Sequence, residues 1–453
     1  MPGWATDAVF YHLYPLGAFG APARNDLHST PEPRLAQLHD WIPHLRELGI
    51  GALYLGPLFE STTHGYDTAD YHHVDRRLGT DATLAELVTA LHRAGIRVVL
   101  DGVFHHVGRD FWAFRDLRAQ GERSPYRDWF AGVDFRRRSP HGDPFAYEGW
   151  RGHYDLVKLN LRNPAVREHL LGAVERWVRD FGVDGLRLDV AEDVDPRFLE
   201  ELAAFCRRLR PDFWLLGEAI HGDYRRLANA AMLDSATNYE VYKGLHSSHN
   251  DRNYFELAYA LGRQFGKHGI YAGLPLYNFA DNHDVNRVAS VLREPAHLYP
   301  LHALLFTIPG VPSVYYGSEW GIPGRKKRGD DRPLRPQLRW PEAAGTAPHP
   351  DLARAIARFA RIRRESPALR RGSYRQLHVA HEQLAFTREK DGETVVVAVN
   401  SAAEPAALEV AAPVPDGTTL TDLLEPSERF TARAGRLRIE AVPPRWARIL
   451  AVR

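Results

Sequence analysis

The sequence predicts an α/β fold: a (β/α)8 TIM barrel with a small inserted subdomain after strand 3 and a C-terminal antiparallel β-sandwich. Three observations predict it. Short apolar runs alternate with amphipathic stretches of helical period, as βα units of a parallel sheet require. Four of those runs close on charged residues, which a parallel barrel gathers at one rim. After about residue 368 the helical period stops and short alternating runs replace it.

Eight candidate strands lie at 8–14, 52–55, 97–103, 185–189, 213–217, 232–236, 275–280 and 313–316. Candidate helices lie at 33–48, 84–94, 165–181, 196–209, 254–265, 297–307 and 352–365. Asn163-Pro164 and Asp195-Pro196 are helix-start signals, and Gly49, Gly95, Gly182 and Gly266 are helix-stop signals. Between Val107 and Asn160 the chain is rich in Arg, Gly, Pro and aromatics and too long for a simple βα loop. The expected divisions are therefore 1–104 and 161–367 for the barrel, 105–160 for the insertion and 368–453 for the sandwich. Asp391-Gly392 and Asp416-Gly417 mark turns within the last unit.

Composition sets limits on function. The chain has 453 residues, 44% hydrophobic and 25% charged, with a formal net charge of +1. No bulk attraction to nucleic acid or anionic lipid follows from that balance. Arg325–Arg328 reads as a solvated loop rim and the remaining arginines as dispersed surface. The one cysteine, Cys206, falls in a predicted helix and reads as core. The N-terminus has no basic-then-apolar leader pattern, and no run reaches the roughly 18 apolar residues of a membrane span. A soluble cytoplasmic protein is expected, with no nucleic-acid or membrane partner; its oligomeric state is open.

The charged strand ends carry the chemistry. They are Asp101-Gly102-Val103-Phe104-His105-His106, Gly185-Leu186-Arg187-Leu188-Asp189, Leu216-Gly217-Glu218 and Asp281-Asn282-His283-Asp284. Cleaving a glycosidic bond takes two carboxyl groups, one kept ionised and one kept protonated. Residues two apart on a strand share a face, so Arg187 lies beside Asp189 and is expected to hold it ionised, as a nucleophile requires. Glu218 follows Trp214-Leu215-Leu216 and suits a proton donor in an apolar pocket. Asp284, beside His283, is a third acid. Taken singly, an Arg-x-Asp pair is a common salt bridge and Asn-His-Asp a common turn; it is their conjunction that points to a site.

These segments resemble the signature regions of the α-amylase family of glycoside hydrolases. Asp101, Val103 and His106 match the first region, Gly185, Arg187 and Asp189 the second, Glu218 the third, and Asn282, His283 and Asp284 the fourth. The resemblance implies a retaining mechanism with Asp189 as nucleophile, Glu218 as acid/base and Asp284 as transition-state stabiliser. It implies sugar binding by Asp101, His106, Arg187 and His283. The loop His64-Gly65-Tyr66-Asp67, together with Asp331 and Arg335, also looks like family substrate-binding segments, with Tyr66 the stacking residue.

Leu156-Val157-Lys158-Leu159-Asn160 and Val190 resemble the cyclomaltodextrinase, neopullulanase and maltogenic amylase group. That likeness implies hydrolysis of α-1,4 and α-1,6 glucosidic bonds in maltooligosaccharides, cyclodextrins or pullulan-type substrates. The group's usual extra N-terminal domain is not in this sequence, and Ile220 stands where the group has a tryptophan. His105 stands where calcium-binding relatives have a ligating asparagine, so no metal is expected at that place and no cofactor is required. The pairs His72-His73 and His105-His106 are expected to face opposite ways on strands rather than to bind a metal. Two rival readings remain: a trehalose- or sucrose-active transglycosylase or isomerase with the same acids, and a non-catalytic sugar-binding relative.

Overall fold

The computed structural model describes residues 2–452. Eight parallel strands form its centre: β1 (Phe10–Leu13), β2 (Ala52–Leu55), β3 (Arg97–Gly102), β4 (Gly185–Leu188), β5 (Trp214–Gly217), β6 (Ser235–Ala236), β7 (Tyr277–Phe279) and β8 (Val311–Tyr315). The ladder runs β7-β8-β1-β2-β3-β4-β5-β6. The last seam is narrow: one parallel bridge, Thr237 to Tyr277, joins the two ends. All eight strands are buried along their length except at Arg97, because helices cover the outside and side chains fill the inside. Phe10, Tyr54, Val99, Trp214, Leu216 and Phe279 pack together as the inner core.

Local signals fix most helix ends. Asn163 and Asp195 accept the backbone N–H of Ala165 and Arg197, each before a proline at the first turn. Thr80 and Thr83 cap each other over the helix Asp81–Arg93. Gly49, Gly95 and Gly182 take positive φ just past their helices. Gly266 does not: it ends its helix at φ −59°, in extended backbone.

The single helix expected at 33–48 is two pieces, a 3-10 segment at Arg34–Trp41 and an α-helix at Ile42–Glu47. Two causes are visible. Leu35, Leu38 and Trp41 are the buried residues, and a spacing of three fits a 3-10 turn. Pro43 lacks the N–H that a continuous α-helix would use, and it sits in the first turn of the second piece. A helix at Tyr239–Asn250 was not expected at all.

The insertion holds the three short strands His106–Gly108, Gly149–Trp150 and His153–Lys158, with the helix Trp112–Gln120 behind them. The C-terminal unit pairs a six-stranded sheet with a two-stranded antiparallel sheet of Ala406–Ala411 and Arg436–Val442. Its strand Glu393–Asn400 shows how the unit is seated. Val396 and Ala398 face the two-stranded sheet, while Val395, Val397 and Val399 join the core shared with the barrel. Asp391 and Gly392, both at positive φ, make the two-residue turn before it.

Gly185 has no room for a side chain. It pairs with Trp214 across β4 and β5, and a Cβ there would lie 2.6 Å from the Trp214 carbonyl oxygen. Backbone in a barrel cannot give way cheaply. Gly185→Ala is therefore expected to lower stability by about 1–3 kcal/mol, the cost of overpacking. Urea unfolding checks this, and an unchanged midpoint would contradict it.

Candidate active site

Strand register builds the site. Asp101 on β3 lies directly opposite Arg187 on β4, and Asp189 follows two residues on. Arg187 Nη1 donates to Asp101 Oδ1 and to Asp189 Oδ1, both at 2.9 Å, and Nη2 lies 2.9 Å from Glu218 Oε2. One buried guanidinium thus holds three carboxyl groups from three strands. Tyr54 and Tyr66 complete the shell of Asp101, donating to Oδ2 at 2.7 and 2.9 Å.

A second cluster stands beside the first. His283 Nε2 is 2.9 Å from Asp284 Oδ2 and 2.5 Å from the Tyr66 hydroxyl. Arg335 reaches Asp284 Oδ1 at 3.0 Å and donates from Nε to the His283 carbonyl. Asp331 sits behind Arg335 at 3.6 Å. His106 Nε2 approaches Asp189 Oδ2 to 3.8 Å, beyond hydrogen-bond range, and that nitrogen is buried with no partner.

A cavity of about 590 Å³ beside the helix Pro350–Glu365 and one of about 570 Å³ at the carboxyl rim of the barrel are similar in size, but only the second meets these clusters. Eight of the eleven expected site residues line the rim cavity: His64, Tyr66, His106, Asp189, Glu218, Asp284, Asp331 and Arg335. Asp101, Arg187 and His283 do not. They are buried beneath its floor and hold the residues that do line it.

The protonation environments differ sharply. Burial pushes Asp189 well above the usual carboxylate range, and the carboxyls of Glu218, Asp101 and Asp284 add to this against Arg187. Arg187 favours the ionised form of Asp189, as expected, but its one guanidinium is shared among three acids and works against burial and the neighbouring carboxyls. Burial also raises Glu218, against Arg187 and the Val190 N–H. For Asp284 burial is outweighed by His283, Arg335 and Arg187, which hold its carboxyl well below the usual range. Burial, then His105, lowers His106 to about 3, so its ring is neutral.

Several lining residues escaped sequence reasoning: Trp150, Arg151, His153, Glu192, Tyr239 and Lys326. The first three come from the insertion, whose edge is fastened across the rim. Trp150 Nε1 donates to Asp193 at 3.0 Å, and Arg151 pairs with Glu192 and Asp193 at 3.1 and 3.2 Å. Lys326, read as a solvated rim residue, pairs with Asp331 at 3.2 Å over the cavity. Nothing in local sequence ties these positions together, since the long insertion decides which of its residues reach the rim.

His105 and His106 do not face opposite ways. The strand β3 ends at Gly102, the chain bends, and the two Nδ1 atoms lie 3.3 Å apart. His72 and His73 do diverge, to the His169 ring and to Asp70. Among the described residues no three His, Cys, Asp or Glu side chains converge as a metal-ion site would need, and no helix is long and apolar enough to cross a membrane.

Paired, buried carboxyls on one wall of a barrel-rim cavity, with a third held ionised opposite, define a glycoside hydrolase. The alpha-amylase catalytic domain matches residues 34–339, and the maltogenic amylase C-terminal domain matches 374–446. The chain belongs to the α-amylase family. A cyclomaltodextrinase from Bacillus sp is 34% identical, over 88% of this chain and 74% of its own. Neopullulanase 2 of Thermoactinomyces vulgaris is 31% identical, over 98% and 77%. Cyclic α-maltosyl-(1→6)-maltose hydrolase from Arthrobacter globiformis, solved without ligand, superposes at a TM-score of 0.82 with 28% identity, covering 100% of this chain and 99% of that one.

Proposed function

We propose that this enzyme hydrolyses α-1,4 and α-1,6 glucosidic bonds in short, cyclic or pullulan-type α-glucans, with retention of configuration. The observation that carries this reading is the single Arg187 fork bearing Asp189 on one nitrogen and Glu218 on the other. Carboxyl groups hung from one guanidinium are close together, as a retaining pair must be. Two buried acids this close do not both ionise readily, so the pair holds one proton between them. One carboxylate and one carboxylic acid is the charge state that double displacement starts from.

In the productive form Glu218 has the proton and Asp189 is ionised. Asp189 attacks the anomeric carbon while Glu218 protonates the leaving oxygen. Glu218 then takes a proton from water, which releases the sugar from Asp189. Asp284, held ionised by His283 and Arg335, places fixed negative charge near the positive transition state. The unpartnered Nε2 of the neutral His106 is free to bind a sugar hydroxyl. Acid, nucleophile and charge stabilisation all come from side chains, so the reading needs no cofactor. The names of the relatives support the substrate class. An intracellular maltogenic amylase of Bacillus subtilis, 30% identical over 71% of this chain, supports the cytoplasmic expectation.

Incubation with β-cyclodextrin, pullulan, maltotriose, sucrose and trehalose, followed over time, tests the reading. Maltose and glucose from the first three are expected. Longer or rearranged products, or turnover of sucrose or trehalose alone, would favour the transglycosylase or isomerase reading. The pH profile is a second test. Activity is expected to fall at low pH as the pair takes a second proton, and at high pH as the shared proton leaves. Because burial raises Glu218, the upper limb should lie above the ordinary carboxylate range. Glu218→Gln should abolish that limb in residual turnover of an activated aryl glycoside.

A further inference from the structure

A third cavity, of about 580 Å³, lies at the opposite end of the barrel from the rim, where its floor meets the C-terminal unit. Pro275 and Gly310, just before β7 and β8, form one side; Tyr374 and Arg388 of the sheet form the other. Four cationic side chains line it, Lys267, Arg370, Arg371 and Arg388, and no Asp or Glu does. The active-site chemistry uses none of them.

The charge around this cavity is compensated only in part. Arg388 is almost fully buried and donates only to carbonyls, of Ser373, Thr307 and Gly372. Arg363, fully buried next to it, also donates only to carbonyls, of Phe306, Leu369 and Gly310. Burial brings both guanidiniums down to about 9, with repulsion from Arg370 adding to it at Arg363 and from Arg363 at Arg388. The one acid close by, Asp7, is taken by Arg371 at 2.7 Å and lies 3.7 Å from Arg370. Three donors here have no partner: Arg363 Nε, Arg370 Nε, and the hydroxyl of Tyr374, a residue 4% exposed. Buried charge of one sign and unused donors call for an acceptor of the opposite sign. The remaining wall, including Phe265, Leu274 and Pro309, is apolar.

We propose that this cavity binds a small organic anion, a phosphate or carboxylate group on an apolar body, which fastens the C-terminal unit to the barrel floor. The head group neutralises the arginine cluster and takes the donors of Arg370 and Tyr374. The apolar body lies on the proline and leucine wall.

Calorimetric titration with phenyl phosphate, benzoate and neutral benzyl alcohol, in buffer free of other oxyanions, tests this. At least one anion is expected to bind one-to-one and to raise the melting temperature, with benzyl alcohol at least tenfold weaker. Preference for phenyl phosphate or for benzoate identifies the head group. Arg370→Gln should weaken anion binding at least tenfold and leave hydrolysis without ligand unchanged. Tyr374→Phe removes a hydroxyl that has no protein partner, so it should fold normally and bind the anion at least threefold more weakly. Absence of anion binding, equal binding of benzyl alcohol, unweakened binding by the folded variants, or displacement of the anion by maltotriose would each overturn the proposal.

Discussion

Asp189→Asn is expected to reduce kcat/KM on maltotriose by on the order of 10⁴-fold or more, the scale seen when an essential nucleophile is removed. The amide is isosteric, and its oxygen can still accept from Arg187 Nη1, so folding should be intact. What it loses is the electron pair that attacks carbon. Glu218→Gln should show a different pattern. On maltotriose the loss should be comparably severe, because a sugar alkoxide leaves poorly without a proton. On an aryl α-maltoside with a nitrophenol leaving group the first step needs little protonation, and the loss should be at least tenfold smaller. Steady-state kinetics on both substrates separate the two roles. Equal losses on both substrates for Glu218→Gln, or activity within tenfold of wild type for Asp189→Asn, would remove the assigned roles.

Arg187→Met is the second large effect. The side chain is buried and counters Asp101, Asp189 and Glu218 together. Its removal leaves those acids uncompensated, and breaking a buried ion pair from one side costs about 3–5 kcal/mol. The pH dependence has a definite sign. Asp189 and Glu218 are already raised in the folded protein, and without Arg187 they rise further. Groups raised in the folded state favour folding below their unfolded pKa and lose that contribution as pH rises through the folded value. The deficit should thus be largest near pH 7 and shrink toward pH 4, which urea unfolding at several pH values measures. Lysine should rescue only in part, since a point charge cannot fork to two strands and a neighbour at once. A variant as stable as wild type at pH 7 would show that the acids carry no buried charge.

The barrel was legible because its strands read as short apolar runs with strong punctuation. The helices at Pro196–Leu209 and Tyr254–Phe265 stand where their caps and periodicity placed them. The helix Tyr239–Asn250 shows why others were not. Its buried stripe is Val241, Gly244, Leu245, Ser248 and His249, spaced for a helix but with three of five positions small or polar. Hydrophobic period could not reveal it, although the Asn238 cap could have. The site divides in the same way. Residues on strand ends were readable because a barrel sends them to one rim. Trp150, Glu192 and Lys326 were not, because loops bring them there. The surroundings of Asp189 were legible only in part for a related reason: the sequence displays its arginine neighbour, while the competing carboxyls of Glu218 and Asp101 come from other strands.

Val190 follows Asp189 with φ +42° and ψ 45°, a backbone conformation that β-branched residues rarely adopt. It donates its N–H to Glu218 Oε2 at 2.9 Å while its side chain lines the cavity. Backbone and side chain therefore have separate duties at this residue. The amide would keep its hydrogen bond to Glu218 with any side chain but proline in place of valine, and glycine or asparagine would sit there with less strain. Substrate range can be edited at this position while the proton chemistry is inherited unchanged, which makes it a place where one hydrolase could diverge into many.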